Sequence, residues 1–391
     1  MKKIILSMAV LATVAMAEGD IEHPHERIET KKEKAPETDM QVHEKDILDR
    51  IHFKGDLRLR YESIEREDIL NNVYHNRYRL RLGLVVDMTD ELHFEVGMRS
   101  GFANPTSGNQ TFRDYEPLKD YFFQSLRFNV LGLAYKSDNS TVKIGRQPYM
   151  MYRPIKSQLV WDNDVSMNGA NYQYKDDTKL ITVGVNQPTL EELSTAKNDV
   201  NLFIAQYVHK TALEFAKLNV GAGIYYYDGL KGNTPLFKGR RKGNTLDANG
   251  MYVNDYHIVE GFGELQFGDV FGKPLKVAAG VVYNFGATDN NFGYDLAVQL
   301  GKAKKVGDWQ VKYSYTDLQD DATYGAYSDS DNFGGGTAAK GHAIRGKYKA
   351  GKNLYIAGNF FFDKVYQSRA KNNFVGEPNY ERVQLDMIYK F

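Results

Sequence analysis

FKGDLRLRYE, residues 53–62, is the stretch that decides the fold class, and NRYRLRLGLVV, residues 76–86, repeats its pattern. In an extended strand Phe53, Leu57 and Tyr61 fall on one face, whereas Asp56 and Arg60 fall on the other. In a soluble sandwich such alternation separates core from solvent, and in a membrane barrel it separates lipid from lumen. Alternation alone therefore predicts β-strands without deciding between these two folds.

The spacing of the strands favours the barrel. About sixteen alternating segments, with a range of 16–18, begin near residues 51, 76, 91, 121, 141, 168, 179, 200, 217, 254, 275, 292, 309, 340, 353 and 380. Short turns near 87–90, 137–140, 176–177, 268–274, 304–308 and 350–352 alternate with long polar loops near 62–75, 101–120, 148–167, 228–253, 318–339 and 363–379. Short turns on one rim and long loops on the other are typical of outer-membrane barrels. Residues 51–391 are therefore predicted to form an all-β, antiparallel, up-and-down transmembrane barrel.

Composition excludes several other classes of protein. The 391 residues include 27 Tyr, 21 Phe and 35 Gly but no Cys, which removes disulfide frameworks and thiol chemistry. Fifty basic and fifty acidic residues cancel, so no global field attracts nucleic acid. After residue 17 no apolar run comes near spanning length, which excludes a helical membrane protein. A mean hydropathy of −0.52 agrees with a barrel, because barrel strands alternate polar and apolar residues.

The N-terminus has the pattern of a secretory signal peptide. Lys2 and Lys3 precede a short apolar run, and Ala15-Met16-Ala17 matches the small-residue cleavage pattern. The apolar run is shorter than the roughly 20 residues of a spanning helix, although a buried helix or an anchor stays the alternative. We expect residues 1–17 to be removed after Sec-type export, and residues 18–50 to form a polar periplasmic segment.

The last residues resemble the C-terminal strand of outer-membrane barrels. YERVQLDMIYKF, residues 380–391, alternates and ends on an aromatic residue. The resemblance implies that Tyr389 and Phe391 form the signal recognised by the barrel assembly machinery.

Several segments together resemble the Putative porin family of Gram-negative bacteria. They are the two opening strands quoted above, GRQP at 145–148, LVWDND at 159–164 with Gly169, and the final strand. The resemblance implies an outer-membrane channel of sixteen strands, surrounded by lipid and lipopolysaccharide, that forms a homotrimer like general porins and passes small hydrophilic solutes.

Arginines dominate the predicted inner face of the first strands and of the last strand: Arg58, Arg60, Arg77, Arg79, Arg81, Arg99, Arg127 and Arg382. An arginine facing hydrocarbon at the membrane midplane costs about 2 to 4 kcal/mol, so these side chains must face water. We interpret them as a pore-lining wall that gives a modest anion preference. The alternative is that they pair with Asp56, Glu95 and Asp386 and stiffen the wall. Across the barrel, Glu260 and Glu264 are predicted to line the pore with acid.

The loop at 148–167 is the candidate constriction. It carries Arg153, Lys156, Asp162 and Asp164, and in general porins a loop early in the chain folds into the pore, which the resemblance transfers to this segment. The loops at 101–120 and 228–253 compete for this role, and an ordinary surface loop stays open.

Other motifs predict little chemistry. No catalytic motif is complete, which predicts a protein that is not an enzyme and uses no cofactor or metal. The oxygen-rich run at 328–332 lacks the full spacing of a calcium loop. Aromatic clusters at 225–227 and 360–362 are interpreted as interfacial girdles, with a sugar-stacking track as the alternative. A structural or adhesive barrel with an occluded lumen, or a barrel enzyme, remains the rival.

Overall fold

The computed structural model describes residues 48–101, 104–112, 126–188, 199–237 and 240–391. The expected signal peptide and nearly all of the expected polar segment at 18–50 lie outside the described residues. Among the described residues, no helix has the length and apolar character needed to cross a membrane.

Seventeen strands occur in the described part of the chain. They are β1 (Ile51–Arg66), β2 (Val73–Asp87), β3 (Leu92–Arg99), β4 (Gln110–Thr111), β5 (Arg127–Lys136), β6 (Ser140–Pro148), β7 (Ser166–Lys175), β8 (Lys179–Gln187), β9 (Asn201–Ala212), β10 (Ala216–Asp228), β11 (Tyr256–Val270), β12 (Lys273–Asn284), β13 (Phe292–Gly301), β14 (Trp309–Leu318), β15 (Ala339–Lys349), β16 (Leu354–Val365) and β17 (Asn379–Lys390). Three 3-10 turns, Pro154–Lys156, Asn332–Gly334 and Gln367–Arg369, lie in loops.

The strands form one closed antiparallel sheet. Each long strand pairs with its neighbours in the chain, β4 adds a two-residue pairing to β2, and β17 returns to pair with β1. At the seam Gly55 N donates to Phe391 O at 2.8 Å and Phe391 N donates to Gly55 O at 3.1 Å. A Cβ on Gly55 would lie 2.5 Å from the Phe391 ring, so only glycine permits this packing. The predicted sixteen-stranded up-and-down barrel is confirmed, with β4 as a short addition.

The alternation separates the two faces of the barrel as the sequence predicts. On β1 the outward Leu57 and Tyr61 are 39% and 43% exposed, whereas the inward Asp56 and Arg60 are 5% and 4% exposed. The girdle interpretation of the clusters at 225–227 and 360–362 is wrong for alternate residues, because consecutive residues of a strand point to opposite faces. Tyr225, Tyr227 and Phe361 are buried inside the barrel.

The connections are sorted between two rims. Turns of two to seven residues join the strands on one rim, and the other rim carries eight connections of six to 27 residues: L1 (67–72), L2 (100–126), L3 (149–165), L4 (188–200), L5 (229–255), L6 (285–291), L7 (319–338) and L8 (366–378). Parts of L2, L4 and L5 lie outside the described residues. The long-loop rim is the side from which the candidate constriction enters the barrel.

Candidate functional site

Closure of the barrel brings the predicted arginine rows together. In the ladder between β1 and β2, Arg58 is opposite Arg79 and Arg60 is opposite Arg77. Arg99 of β3 is opposite both Arg81 and Arg127, and Arg382 of β17 is opposite Ile64 of β1. Like charges placed directly opposite each other repel, so this arrangement requires counterions.

Carboxylates interleave with the arginines on the same face. Arg60 donates to both oxygens of Asp386, at 2.6 and 2.8 Å. Arg79 and Arg81 share Asp56, at 2.9 and 2.6 Å. The wall is thus an ion-pair lattice, as the stiffening interpretation expects for Asp56 and Asp386.

Of two glutamates on the inner face of the first strands, one pairs with the arginine wall and the other does not. Glu62 of β1, which the sequence analysis did not single out, accepts from Arg77 at 2.9 Å and from Arg382 Nε at 3.0 Å. Glu95 does not join the arginines, because it lies beside Lys143 Nζ at 3.5 Å. The expectation that Glu95 pairs with the arginine wall is therefore wrong.

One end of L3 is attached to the arginine wall. Asp164 accepts from Arg81 at 3.1 Å and from Arg79 at 3.3 Å, and Arg99 donates to its backbone oxygen at 3.0 Å. Burial disfavours the charged carboxylate, but the surrounding arginines outweigh it and hold the pKa of Asp164 below its usual value. Asp162 is different, because burial together with Asp164 raises its pKa well above the usual value.

The tip of L3 reaches the opposite wall. Ile155 N donates to Glu264 Oε2 at 2.6 Å, Lys312 Nζ donates to Ile155 O at 3.0 Å, and Ser157 Oγ donates to Asp295 Oδ2 at 2.5 Å. Glu264 lies on β11, eight long strands away from β2 in either direction around the barrel. L3 therefore crosses the lumen from the basic wall to the acidic one.

The turn at the tip has an unusual backbone. Ile155 and Lys156 adopt φ of 44° and 55°, in the left-handed region that costs non-glycine residues free energy. Arg153 supports the turn, because its guanidinium donates to Ser157 O at 2.9 Å and Trp161 O at 2.7 Å. The Lys156 side chain reaches solvent at the tip, although its partial burial, together with the nearby Arg153 and Lys390, lowers its pKa. Of the four predicted loop residues, only Lys156 projects into open space.

The two predicted acidic residues are buried behind loop and wall contacts. Glu264 is 2% exposed and binds the L3 tip, and Glu260 is 4% exposed and accepts from Tyr225 Oη at 2.6 Å. Trp161 of L3 packs edge-on against the ring of Tyr225, with centroids 5.0 Å apart. Glu264 therefore anchors L3, while Glu260 supports the aromatic packing beneath it.

A second loop, L7, also enters the barrel, which the sequence analysis did not predict. Asp331 accepts from Gln384 at 2.9 Å and lies 3.1 Å from Arg382. Although burial opposes the charged form, Arg382 and Arg60 lower the pKa of Asp331. Ser330 N donates to Asp162 Oδ2 at 2.9 Å, which joins L7 to L3.

The oxygen-rich run at 328–332 therefore binds arginines. Asp329 and Asp331 each face a guanidinium, Asp329 at 3.0 Å from Arg345. Among the described residues no group of three His, Cys, Asp or Glu side chains could hold a metal ion.

The competing loops contact this assembly without crossing the lumen in their described parts. Arg58 donates to Asn109 of L2, and Ser330 Oγ donates to Thr106 O of L2 at 3.0 Å. L5 packs on L7, where Thr337 N donates to Lys242 O at 2.9 Å.

Open space remains on the short-turn side of L3. A chamber of about 370 Å³, here called the lower chamber, is lined by the charged residues Lys54, Asp56, Arg81, Glu95, Lys143 and Lys390. Its lysines are absent from the predicted pore lining, although Lys54 is in phase with Asp56 and Lys390 with Asp386 on their strands. Among the described residues Lys54 and Lys390 have no ion-pair partner, so this space is net basic.

The C-terminal aromatics lie on the outer face. Tyr389 and Phe391 are 49% and 50% exposed, with ring centroids 6.4 Å apart. Their role as an assembly signal stays a prediction.

The sequence matches a family model, and the fold is similar to that of solved structures. A family model described as Putative porin matches residues 65–248 and 273–374. The barrel is similar to the high-pH structure of OprB from Pseudomonas putida, with a TM-score of 0.60 and 13% identity, covering 89% of this chain and 96% of that one. It is also similar to a mutant of the Rhodopseudomonas blastica porin, with a TM-score of 0.50 and 13% identity, covering 87% of this chain and 100% of that one. At these identities the likeness shows the fold. No curated protein sequence matches the chain.

Proposed function

The chain belongs to the Putative porin family, and from that premise we propose that it forms a water-filled channel through which ions and small hydrophilic solutes diffuse across the outer membrane of a Gram-negative bacterium. The observation that carries the proposal is L3. It is tied to Arg81 on one wall and to Glu264 on the other, so it narrows the lumen while leaving the lower chamber open. Transport through such a constriction needs no turnover chemistry.

We also propose a modest anion preference. In the lower chamber Asp56 is paired with Arg81, and Glu95 lies closest to Lys143, at 3.5 Å, so Lys54 and Lys390 are left as uncompensated cations. Exposed charges beside a narrow aqueous path bias its ion content toward counterions. The predicted arginine wall contributes to this bias mainly through Arg81, whose side chain is 37% exposed.

The partners and the location follow from the same proposal. We propose Sec-type export with cleavage near Ala17, recognition of Phe391 by the barrel assembly machinery, insertion among lipid and lipopolysaccharide, and assembly as a homotrimer. The outward apolar residues, among them Leu57 and Tyr61, support contact with lipid. We propose no cofactor, no nucleic-acid partner and no enzymatic activity.

Conductance in planar bilayers tests the channel. We expect the refolded protein to give stepwise, voltage-tolerant conductance, and a reversal potential of anion-selective sign under a KCl gradient. A protein that inserts as a heat-modifiable barrel without conductance would refute the channel, and a cation-selective reversal potential would refute the anion preference.

A barrel with an occluded lumen is the second candidate. The observation in its favour is that L3 and L7 join inside the barrel, where Asp162 N donates to Tyr327 O at 2.7 Å and Ser330 N donates to Asp162. Such a protein would act through its long loops as a structural or adhesive surface component. It would show no swelling of liposomes in small sugars, whereas the proposed channel would show swelling that falls with sugar size.

A further inference from the structure

A strongly basic pocket lies at the long-loop rim, apart from the constriction. It has a volume of about 690 Å³ and is formed by L1, L5, L7 and L8 with the ends of β1 and β17. Its cationic lining residues, here called the mouth cluster, are Arg66, Arg240, Arg241, Lys242, Arg369 and Lys371. A volume of this size falls within the range of small-molecule sites, which is about 300 to 1,000 Å³.

The charge of the mouth cluster is mostly uncompensated. Arg66 is paired with Asp68, and its Nη2 lies 2.7 Å from Asp68 Oδ2. Among the described residues, none of the other five cations has a carboxylate within ion-pair distance. Arg369 instead donates to the backbone oxygens of Thr337 at 2.5 Å and Gly335 at 3.1 Å. Neutral carbonyls satisfy its N–H groups but leave its charge in place.

Lys242 shows the same imbalance most clearly. Its backbone is held by Thr337 N, and its φ of 50° lies in the left-handed region. Among the described residues no acceptor lies within hydrogen-bond distance of its ammonium group. Burial, with Arg369 and Arg240 nearby, lowers the pKa of Lys242 to about 8. Lys242 lines the pocket without an acceptor of its own, so an anion in the pocket would meet an unpaired positive charge.

We propose that the mouth cluster binds a multivalent oxyanion of the phosphate or sulfate type. Guanidinium groups suit tetrahedral oxyanions because they donate two parallel hydrogen bonds, and Lys242 adds a point charge. Arg241, Lys242 and Arg369 line one pocket, so their positive charges lie around a space that suits an anion with several acceptor oxygens.

The proposal selects a solute from water rather than a lipid headgroup. The pocket is also lined by Ile64 and Tyr380, which alternate in phase with the inward residues Glu62 and Arg382. It therefore lies on the lumen side of the rim. In transport, the pocket would concentrate anionic solutes at the channel mouth. This role rests on the proposed porin function, but the binding of the anion does not.

Sulfate is the probe of choice, since its charge does not change near neutral pH. Calorimetry on the full-length protein, refolded in zwitterionic detergent at pH 7, should show saturable sulfate binding that equimolar chloride does not displace. The double variant Arg241→Gln/Lys242→Gln should bind at least tenfold more weakly. The matched control Lys304→Gln/Lys352→Gln removes two exposed charges from the opposite rim and should bind as the unaltered protein does. An absence of saturable binding, or an equal loss in the control, would overturn the proposal.

A second variant covers the case in which the first misfolds. Arg240 and Lys371 are exposed, so Arg240→Gln/Lys371→Gln should refold normally and weaken sulfate binding at least threefold. Unchanged affinity in this folded variant would count against the proposal.

Lipopolysaccharide provides the arm that distinguishes the two sources of phosphate. In nanodiscs containing lipopolysaccharide, the affinity for sulfate should be unchanged. The assignment to a soluble anion would be overturned if sulfate binding were lost there and lipid A were retained by the unaltered protein but not by the double variant. Conductance measured on the same preparations separates the two proposals. Conductance without sulfate binding refutes the mouth site alone, and sulfate binding without conductance refutes the channel alone.

Discussion

Arg79 and Arg81 form a matched pair of residues, and substituting each one distinguishes a role in stabilising the wall from a role in the ion selectivity of the pore. They lie two residues apart on β2 and contact the same two carboxylates, Asp56 and Asp164. Their side chains differ in exposure, 9% for Arg79 and 37% for Arg81, and only Arg81 lines the lower chamber. We predict that Arg81→Gln changes ion selectivity with little loss of stability and that Arg79→Gln does the reverse.

The size of the selectivity change follows from Coulomb's law. A unit charge about 6 Å from a passing ion in water contributes about 0.7 kcal/mol, which screening at 0.1 M salt reduces to about 0.4 kcal/mol. Removing Arg81 therefore lowers the occupancy of anions about twofold and raises that of cations about twofold. The permeability ratio of anions to cations should fall about fourfold.

The stability change has the opposite ranking. Removing one partner of a buried ion pair costs about 3 to 5 kcal/mol, and this range applies to Arg79 with its nearly buried contacts to Asp56 and Asp164. Exposed pairs contribute about 0 to 1 kcal/mol, which sets the expectation for Arg81. Reversal potentials under a tenfold KCl gradient and unfolding midpoints in guanidinium check both rankings. A shift in reversal potential for Arg79→Gln as large as that for Arg81→Gln would refute the argument that exposure to the chamber decides selectivity.

Four further substitutions test other parts of the structure. Glu264→Leu removes a charge-assisted hydrogen bond of about 1.5 to 3 kcal/mol from the L3 tip. Single-channel conductance and proteolytic cleavage within L3 should therefore both rise. Unchanged values would show that Glu264 does not hold the loop. The pKa of Asp162 is raised in the folded state, so its stabilising contribution is complete below the unfolded pKa of about 3.9 and is lost as pH rises. Asp162→Asn should therefore reduce the decline of the unfolding midpoint as the pH rises above about 3.9, and equal pH slopes in both proteins would contradict this assignment. Gly55→Val displaces the Phe391 ring but keeps the C-terminal residue, whereas Phe391→Ala removes it. If Phe391 is an assembly signal, only Phe391→Ala should abolish recovery of the protein in the outer-membrane fraction of cells, and equal recovery of both variants would refute the signal.

The strands could be predicted from the sequence because each one encodes its own faces. Leu57 and Arg60 identify the outward and inward faces of β1 without reference to any other strand. The partners of the inward charges could be predicted only where they share the wall, as Asp56 and Asp386 do. Assignment by residue type alone fails where it ignores this alternation. Tyr225 and Tyr227 are examples, because the strand period places both side chains inside the barrel.

The loops could not be placed in the same way. Nothing local in L3 or L7 shows which arginine its aspartates will meet. Asp331 contacts Arg382, and Asp164 contacts Arg81, only because closure of the barrel brings β17, β1 and β2 together. Such contacts depend on residues far apart in the chain, and the sequence pattern contains no signal of their pairing.

The relation between the wall and the loops changes which residues should control permeation. A row of arginines inside a barrel suggests an anion path along the row, but carboxylates pair with most of these arginines: Asp164 and Asp331 from the loops and Asp56, Glu62 and Asp386 from the strands. Charges in a neutralised, buried lattice hold the loops in position and contribute little field to the aqueous space. We therefore predict that the field an ion meets comes from the partly exposed Arg81 and from cations outside the lattice, which are Lys54 and Lys390 in the lower chamber and the mouth cluster at the long-loop rim. Selectivity is thus predicted to depend on the charges that the folded loops leave exposed to the lumen, and the buried arginines are predicted to act mainly by fixing where those loops lie.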